Sequence, residues 1–297
     1  MALGFENEKM DFAALLAFNV LSSIATLILI TLGLGVIYGM MRIINLAHGE
    51  FMMLGAYTAV TSAGLGINIW VAMLILPPLV VGLVGLILER TLIRFLYGRM
   101  MDTMLATWGV SLGLIGLATT IWGNVSRGVA PPLGGFSIGR YSASAYSLVL
   151  ILVALICLVS IYALLRLTKF GLILRATMQN PRMAAALGVN PPIIYMSTFT
   201  LGAALAGLAG GVLTPMATVS PNMGGAYIVN AFITVLGGGP AIITGTGLAA
   251  SIFGTINQLV SFLVNPSLGS VSLLLFAIVM IRILPQGITG RFFRNNL

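Results

Sequence analysis

The chain has 297 residues, of which 59% are hydrophobic and only 7% charged, and its mean hydropathy is +1.10. So little charge cannot cover a water-soluble surface, and the continuous apolar runs are unlike the short alternating segments of a transmembrane β-barrel. The net charge of +8 does not point to nucleic acid, because the basic residues gather in short loops between apolar runs.

About 20 apolar residues cross a bilayer core as a helix. On that basis 17–41, 44–62, 69–89, 103–123, 147–165, 192–214, 241–263 and 269–284 read as eight full spans. A further apolar helix near 226–238 is too short to cross unaided. The expected fold is therefore all-α, a polytopic transmembrane helical bundle of eight full spans plus one short or broken membrane helix. The polar stretches at 124–146 and 166–191 read as loops, so residues 1–297 form one expected transmembrane domain. Tyr141 and Tyr146, late in the first stretch, suit a membrane interface.

The N-terminus carries Glu6, Glu8 and Asp11 against Lys9 and lacks the basic start of a cleavable signal peptide, so the first span is expected to be retained. Within the first hydrophobic block, the apolar run gives way to Arg42-Ile43-Ile44-Asn45-Leu46-Ala47-His48-Gly49-Glu50 and then resumes. His48 is the only histidine and Glu50 one of six acids. Ionisable residues inside membrane segments are costly and often mark a transport pathway. Asn45 is expected to cap the following helix, with His48 or Glu50 bonding the freed backbone. The plainer alternative is a structural Arg42–Glu50 pair. Cys157 lies inside an apolar run, where it reads as a packed or lipid-facing thiol.

Arg90, Arg94 and Arg99 follow the third span; Arg166, Lys169, Arg175 and Arg182 follow the fifth; Arg282, Arg291 and Arg294 end the chain. The positive-inside rule makes all three clusters cytoplasmic and the N-terminus external. An odd number of crossings then requires the 226–238 helix as a ninth, incomplete one. That helix ends at Gly237-Gly238-Gly239-Pro240, a second break, in the other half of the chain. Paired interruptions of this kind point to a pathway near the midplane; a tight interhelical turn is the simpler reading. Free carbonyls at Gly237, Gly238 and Gly239, with Asn45, Thr107 and Glu50, would give such a pathway acceptors.

In the loop after the fifth span, Asn180 suits an N-cap, Pro181 the first helical position and Gly188 a stop. Residues 181–187 should form a short helix with an apolar, small-residue surface. Two turns are marginal alone in water, so the helix needs a packing partner, either this chain's own helix ends or a groove on another protein.

Gly171, Arg175, Ala176, Ala185, Leu187 and Gly188 resemble the cytoplasmic coupling segment of ABC-importer permeases. Tyr38-Gly39, the 42–51 stretch and Leu54-Gly55-Ala56-Tyr57 closely resemble the signature of the branched-chain amino acid / urea permease family. Within it, Ala106-Thr107-Trp108-Gly109 with Ser111, Gln179-Asn180, Pro221 with Gly224, Tyr227-Ile228-Val229 and Pro285-Gln286-Gly287 look closer to the urea branch. Gly239-Pro240 departs from a glycine-rich run expected to continue without proline.

The resemblance implies the translocating subunit of an ATP-driven importer of urea or short-chain amides, with branched-chain amino acids as the alternative. It implies a prokaryotic inner membrane, a second homologous permease, two cytoplasmic ATP-binding subunits and an extracytoplasmic substrate-binding protein. The implied pathway residues are Asn45, His48, Glu50, Thr107, Trp108, Gly237, Gly238 and Gly239. Those implied for ATPase coupling, within segment 171–188, are Gly171, Arg175, Ala184, Ala185, Leu187 and Gly188.

Lys9 and Lys169 are the only lysines, and neither sits in a GxxxxGK[ST] loop, so ATP and magnesium are expected on partner subunits rather than on this chain. No HExxH or GxSxG arrangement occurs, and one histidine leaves little for zinc, so neither an enzyme nor a metal site is expected. A reading from a different class is a channel or proton-coupled carrier using His48 and Glu50.

Overall fold

The computed structural model describes residues 2–239 and 241–292. Pro240 and Arg294, on which two of the expectations rest, lie outside the described residues. In chain order the elements are α1 (Ala2–Met41), α2 (His48–Gly64), α3 (Ile69–Leu74), α4 (Leu76–Thr91), a 3-10 turn (Ile93–Leu96) and α5 (Met100–Trp122). A hairpin of β1 (Gly135–Ile138) and β2 (Tyr141–Ser144) follows, then α6 (Tyr146–Leu167), α7 (Lys169–Gln179), α8 (Pro181–Ala186) and α9 (Pro191–Leu213). The chain ends with α10 (Met223–Gly238), α11 (Ile242–Leu263), α12 (Pro266–Ile283) and α13 (Gly287–Phe292).

Among the described residues, seven helical segments are long and apolar enough to cross a membrane: 10–41, 69–91, 100–122, 146–167, 191–213, 242–263 and 266–290. This corrects the count of eight. The expected span at 44–62 is lost because residues 42–47 are not helical, which leaves α2 only 17 residues, about 26 Å at 1.5 Å per residue. The short apolar helix expected near 226–238 is present as the 16-residue α10.

Two stretches read as loops also carry structure. Residues 135–144 pair as an antiparallel hairpin with Gly135 opposite Ser144 and Ile138 opposite Tyr141. Residues 169–179 form α7, which turns Gly171, Leu174 and Thr177 inward. Tyr146 is fully buried at the start of α6.

The chain divides into two compact units. One comprises 29–129 and 158–232, and α9 is its axis. Small residues along α9 let three other helices approach its backbone. A side chain at Gly202 would strike Ile37 of α1, one at Gly207 would strike Pro77 and Val81 of α4, and one at Gly210 would strike Met52 of α2. Lipid tails are as apolar as leucine, so helix association in a membrane depends on such close fit rather than on hydrophobic exclusion.

The other unit comprises the described residues up to 28, 130–157 and from 233 onward. Its core joins Leu27, Ala249, Ala250, Phe253, Leu273, Ala277, Met280 and Ile288. The glycine break lies in this unit. Gly239 adopts φ 81°, a left-handed conformation open to glycine, and lets the chain leave α10. Gly237 rests against Phe253 and Met280, and Gly238 against Gly245.

Candidate functional site

Helix α1 ends with the Arg42 amide donating to Tyr38 O at 2.9 Å, after which Arg42 itself takes φ 52°. Positive φ is uncommon for a residue with a Cβ and holds only where surroundings impose it. Residues 43–47 then run without helix and α2 starts at His48. Three amides at the end of this segment are satisfied locally and from α5. The Leu46 amide donates to Thr107 Oγ1 at 3.1 Å, the Ala47 amide to Asn45 Oδ1 at 3.1 Å, and the His48 amide to Asn45 O at 3.3 Å.

Asn45 therefore does not cap α2 as expected. Ala47 holds the N-cap position without a side-chain bond, and Asn45 closes a tight turn just before it. Nor does His48 bond the break. Its Nε2 reaches the Ile30 carbonyl in the middle of α1 at 2.8 Å. A carbonyl only accepts, so Nε2 carries the hydrogen, and in the neutral ring Nδ1 is left as an acceptor. Glu50 sits in the first turn of α2, where the helix dipole favours a negative charge, and it bonds the Ser111 side chain of α5. An ion pair joins Arg99 and Asp102 at 3.8 Å, and the expected alternative of an Arg42–Glu50 pair is absent among the described residues.

Asn45 and His48 are fully buried and Glu50 is 4% exposed. Asn45 Nδ2, His48 Nδ1 and Glu50 Oε2 each lack a hydrogen-bond partner. Leaving one buried polar atom unpaired costs about 1–3 kcal/mol, so three within six residues is a concentration that folding alone does not favour. Together they offer a donor, a nitrogen acceptor and a carboxylate oxygen, a set suited to a small polar solute.

Thr107 and Ser111 lie four apart on α5 and so share a face, the face that carries the break. Trp108 does not join them: it is 55% exposed on the outward side of α5. Gly49 and Gly224 meet backbone to backbone, so the first turn of α2 crosses the start of α10 with no room for a Cβ. The other predicted pathway residues, Gly237 to Gly239, lie in the second unit. The Gly238 carbonyl is not free, since it accepts the Thr289 hydroxyl at 2.6 Å, and the Thr289 hydroxyl oxygen in turn accepts the Ala241 amide at 3.3 Å. This corrects the expectation of an open carbonyl at Gly238.

The coupling candidates lie on α7 and α8. Thr168 caps α7 by accepting from the Gly171 amide at 3.1 Å, and a side chain at Gly171 would strike the Leu164 and Leu165 carbonyls. Asn180 caps α8 by accepting from the Met183 amide at 3.0 Å, and Gly188 at φ 87° ends it, as the sequence predicts. Ala184 is buried, while Ala185 and Leu187 are exposed, Leu187 by 80%. Arg175 is half-buried, with Nη1 lacking a partner.

Sequence reasoning missed Ile30 and Thr289. The first contributes only a backbone carbonyl, which leaves no side-chain signal. The second is one of many threonines, and only its reach across 51 residues distinguishes it.

Residues 16–284 match the family described as "Branched-chain amino acid transport system / permease component". The chain belongs to this family. The permease is 29% identical to a probable branched-chain amino acid transport permease protein LivH of Methanocaldococcus jannaschii, over 89% of this chain and 88% of that one. It is 27% identical to the high-affinity branched-chain amino acid transport system permease protein LivH of Salmonella typhimurium, over 92% and 94%. It is 26% identical to the corresponding BraD protein of Pseudomonas aeruginosa, over 90% and 92%. A solved structure, PsaBC from Streptococcus pneumoniae in complex with Fab, covers 93% of each chain at 15% identity with a TM-score of 0.49, a likeness that carries no argument. The permease is thus a multi-pass helical membrane protein and a transport component, not an enzyme. None of these relatives supports the urea branch that the Trp108 and 221–229 patterns suggested.

Proposed function

We propose that this permease is the translocating subunit of an ATP-driven importer of branched-chain amino acids in a prokaryotic inner membrane. The observation that carries the reading is the family match across 16–284, within which the signature segment forms a buried helix break holding Asn45, His48 and Glu50. A branched-chain amino acid presents an ammonium, a carboxylate and an apolar tail. Glu50 complements the first, and the start of α2 offers amides to the second.

In this reading a second homologous permease, two cytoplasmic ATP-binding subunits and an extracytoplasmic binding protein complete the machine. ATP and magnesium bind the ATPases. Gly171, Arg175, Ala184, Ala185, Leu187 and Gly188 transmit their motion, because α8 offers an exposed apolar surface of small side chains to a groove on the ATPase. The N-terminus lies outside and the C-terminus in the cytoplasm, as the arginine clusters favour. The pathway runs past Asn45, His48, Glu50 and Thr107.

Uptake of labelled leucine and labelled urea, in cells with and without the gene, tests the reading. Leucine uptake is expected to disappear with the gene, to survive collapse of the proton gradient while ATP is maintained, and to fail on ATP depletion. Loss of urea uptake alone overturns the substrate. Dependence on the proton gradient with ATP maintained overturns the energy source in favour of a proton-coupled carrier.

A further inference from the structure

Beside the helix break, but separate from its buried polar residues, a cavity of about 310 Å³ opens where α1 ends and α5 begins. Its lining includes Arg42, Tyr97, Arg99, Met100, Thr103 and Tyr195. The volume falls within the range of small-molecule sites, ~300–1,000 Å³. Two guanidinium groups border it, and both are exposed rather than packed away. Arg99 has one weak partner, Asp102 at 3.8 Å, with both side chains more than half exposed, a pair that contributes little.

Further features bear on the binding of an anion. Helix α5 starts in the cavity wall, at Met100, with no side-chain cap, so the positive end of a 23-residue helix dipole adds to the arginines, offset in part by Asp102 in its first turn. One oxygen of the nearby Glu89 accepts the Tyr97 hydroxyl, and the other has no hydrogen-bond partner. Burial, with the Glu89 carboxyl beside it, keeps that phenol protonated well above its ordinary range, so Tyr97 brings no negative charge. The Tyr97 and Tyr195 rings meet edge to face at 4.9 Å and make a firm wall.

What lies outside the cavity separates a lipid from a soluble anion. Phe95 is 73% exposed and Met101 72%, and along α5 Leu105, Trp108 and Leu112 continue an outward apolar strip. A basic cavity at the end of such a strip matches a phospholipid, with phosphate at the arginines and acyl chains along α5. Basic pockets between membrane helices commonly hold anionic headgroups.

We propose that the cavity bordered by Arg42 and Arg99 is a binding site for the phosphate of an anionic phospholipid whose acyl chains lie along α5. The site is independent of which solute the permease carries and of which way the permease faces. By holding Arg42, the lipid braces the strained residue from which the 43–47 segment departs.

The test uses the whole transporter, purified with its partner subunits and placed in nanodiscs of phosphatidylcholine with or without phosphatidylglycerol. Retained lipid is counted by native mass spectrometry. Each of Arg42→Gly and Arg99→Gln is expected to weaken phosphatidylglycerol retention about fivefold. Arg42→Gly tolerates the positive φ, so a loss there reports charge rather than misfolding. Arg99→Lys keeps the charge and should retain the lipid, and Arg282→Gln, which is not a lining residue of the cavity, should change nothing. Glycerol phosphate and inorganic phosphate should compete poorly. Retention unchanged in both Arg42→Gly and Arg99→Gln overturns the proposal, and so does equally tight binding of soluble phosphate.

Discussion

The Thr107 hydroxyl of α5 accepts the Leu46 amide at 3.1 Å, across 61 residues of sequence. It ties a membrane-length helix to the middle of the break between α1 and α2. Thr107→Val keeps the shape and leaves that amide unpaired, so stability should fall by about 1–3 kcal/mol. Thr107→Ser should restore it. Thermal unfolding of the purified complex measures both.

Glu50→Gln keeps the shape of the side chain and its bond to Ser111 while removing the charge. Solute uptake is expected to fall at least about tenfold, the equivalent of about 1.4 kcal/mol in a binding or barrier free energy. Abundance should stay normal. Unchanged uptake at equal abundance would leave Glu50 a purely structural role.

Gly49 and Gly224 leave no space between their backbones, so Gly49→Ala should displace α2 from α10 and cost about 1–3 kcal/mol. Gly64, at the far end of α2, faces open space. Gly64→Ala should be neutral or slightly stabilising, by up to ~1 kcal/mol. Membrane abundance and unfolding temperature, compared between the two variants, separate crowding from a general intolerance of alanine.

Ala184 and Ala185 are neighbours on α8 with opposite environments, one buried and one exposed. Ala185→Glu should leave insertion intact, yet abolish uptake while ATP hydrolysis by the complex continues. Ala184→Glu should instead reduce abundance, because it buries a charge. Uptake equal to the parent in Ala185→Glu would remove the coupling role from this surface.

Thr289→Val removes both the donor to Gly238 O and the acceptor for the Ala241 amide. The turn after α10 should loosen, seen as faster amide exchange over 236–246. If exchange there is unchanged, the hydroxyl is not what closes the break.

Local chemistry determined a good deal by itself. The membrane class follows from composition. The start and stop of α8 follow from Asn180, Pro181 and Gly188, because a cap acts within its own turn and needs no distant partner. Family membership was legible in the 38–57 signature, and the 42–50 interruption was visible as polar residues within an apolar block.

Only the tertiary structure decided what those residues touch. It turned His48 to the Ile30 carbonyl, left Asn45 outside the cap of α2, sent Trp108 outward from the face that holds Thr107, and closed the Gly238 carbonyl with Thr289. The reason is physical. In a soluble helix the buried face is written as an apolar stripe, but a membrane helix is apolar toward lipid and toward protein alike. Its buried side is therefore set by where a neighbour's glycines let it approach, and that depends on residues far away in the chain.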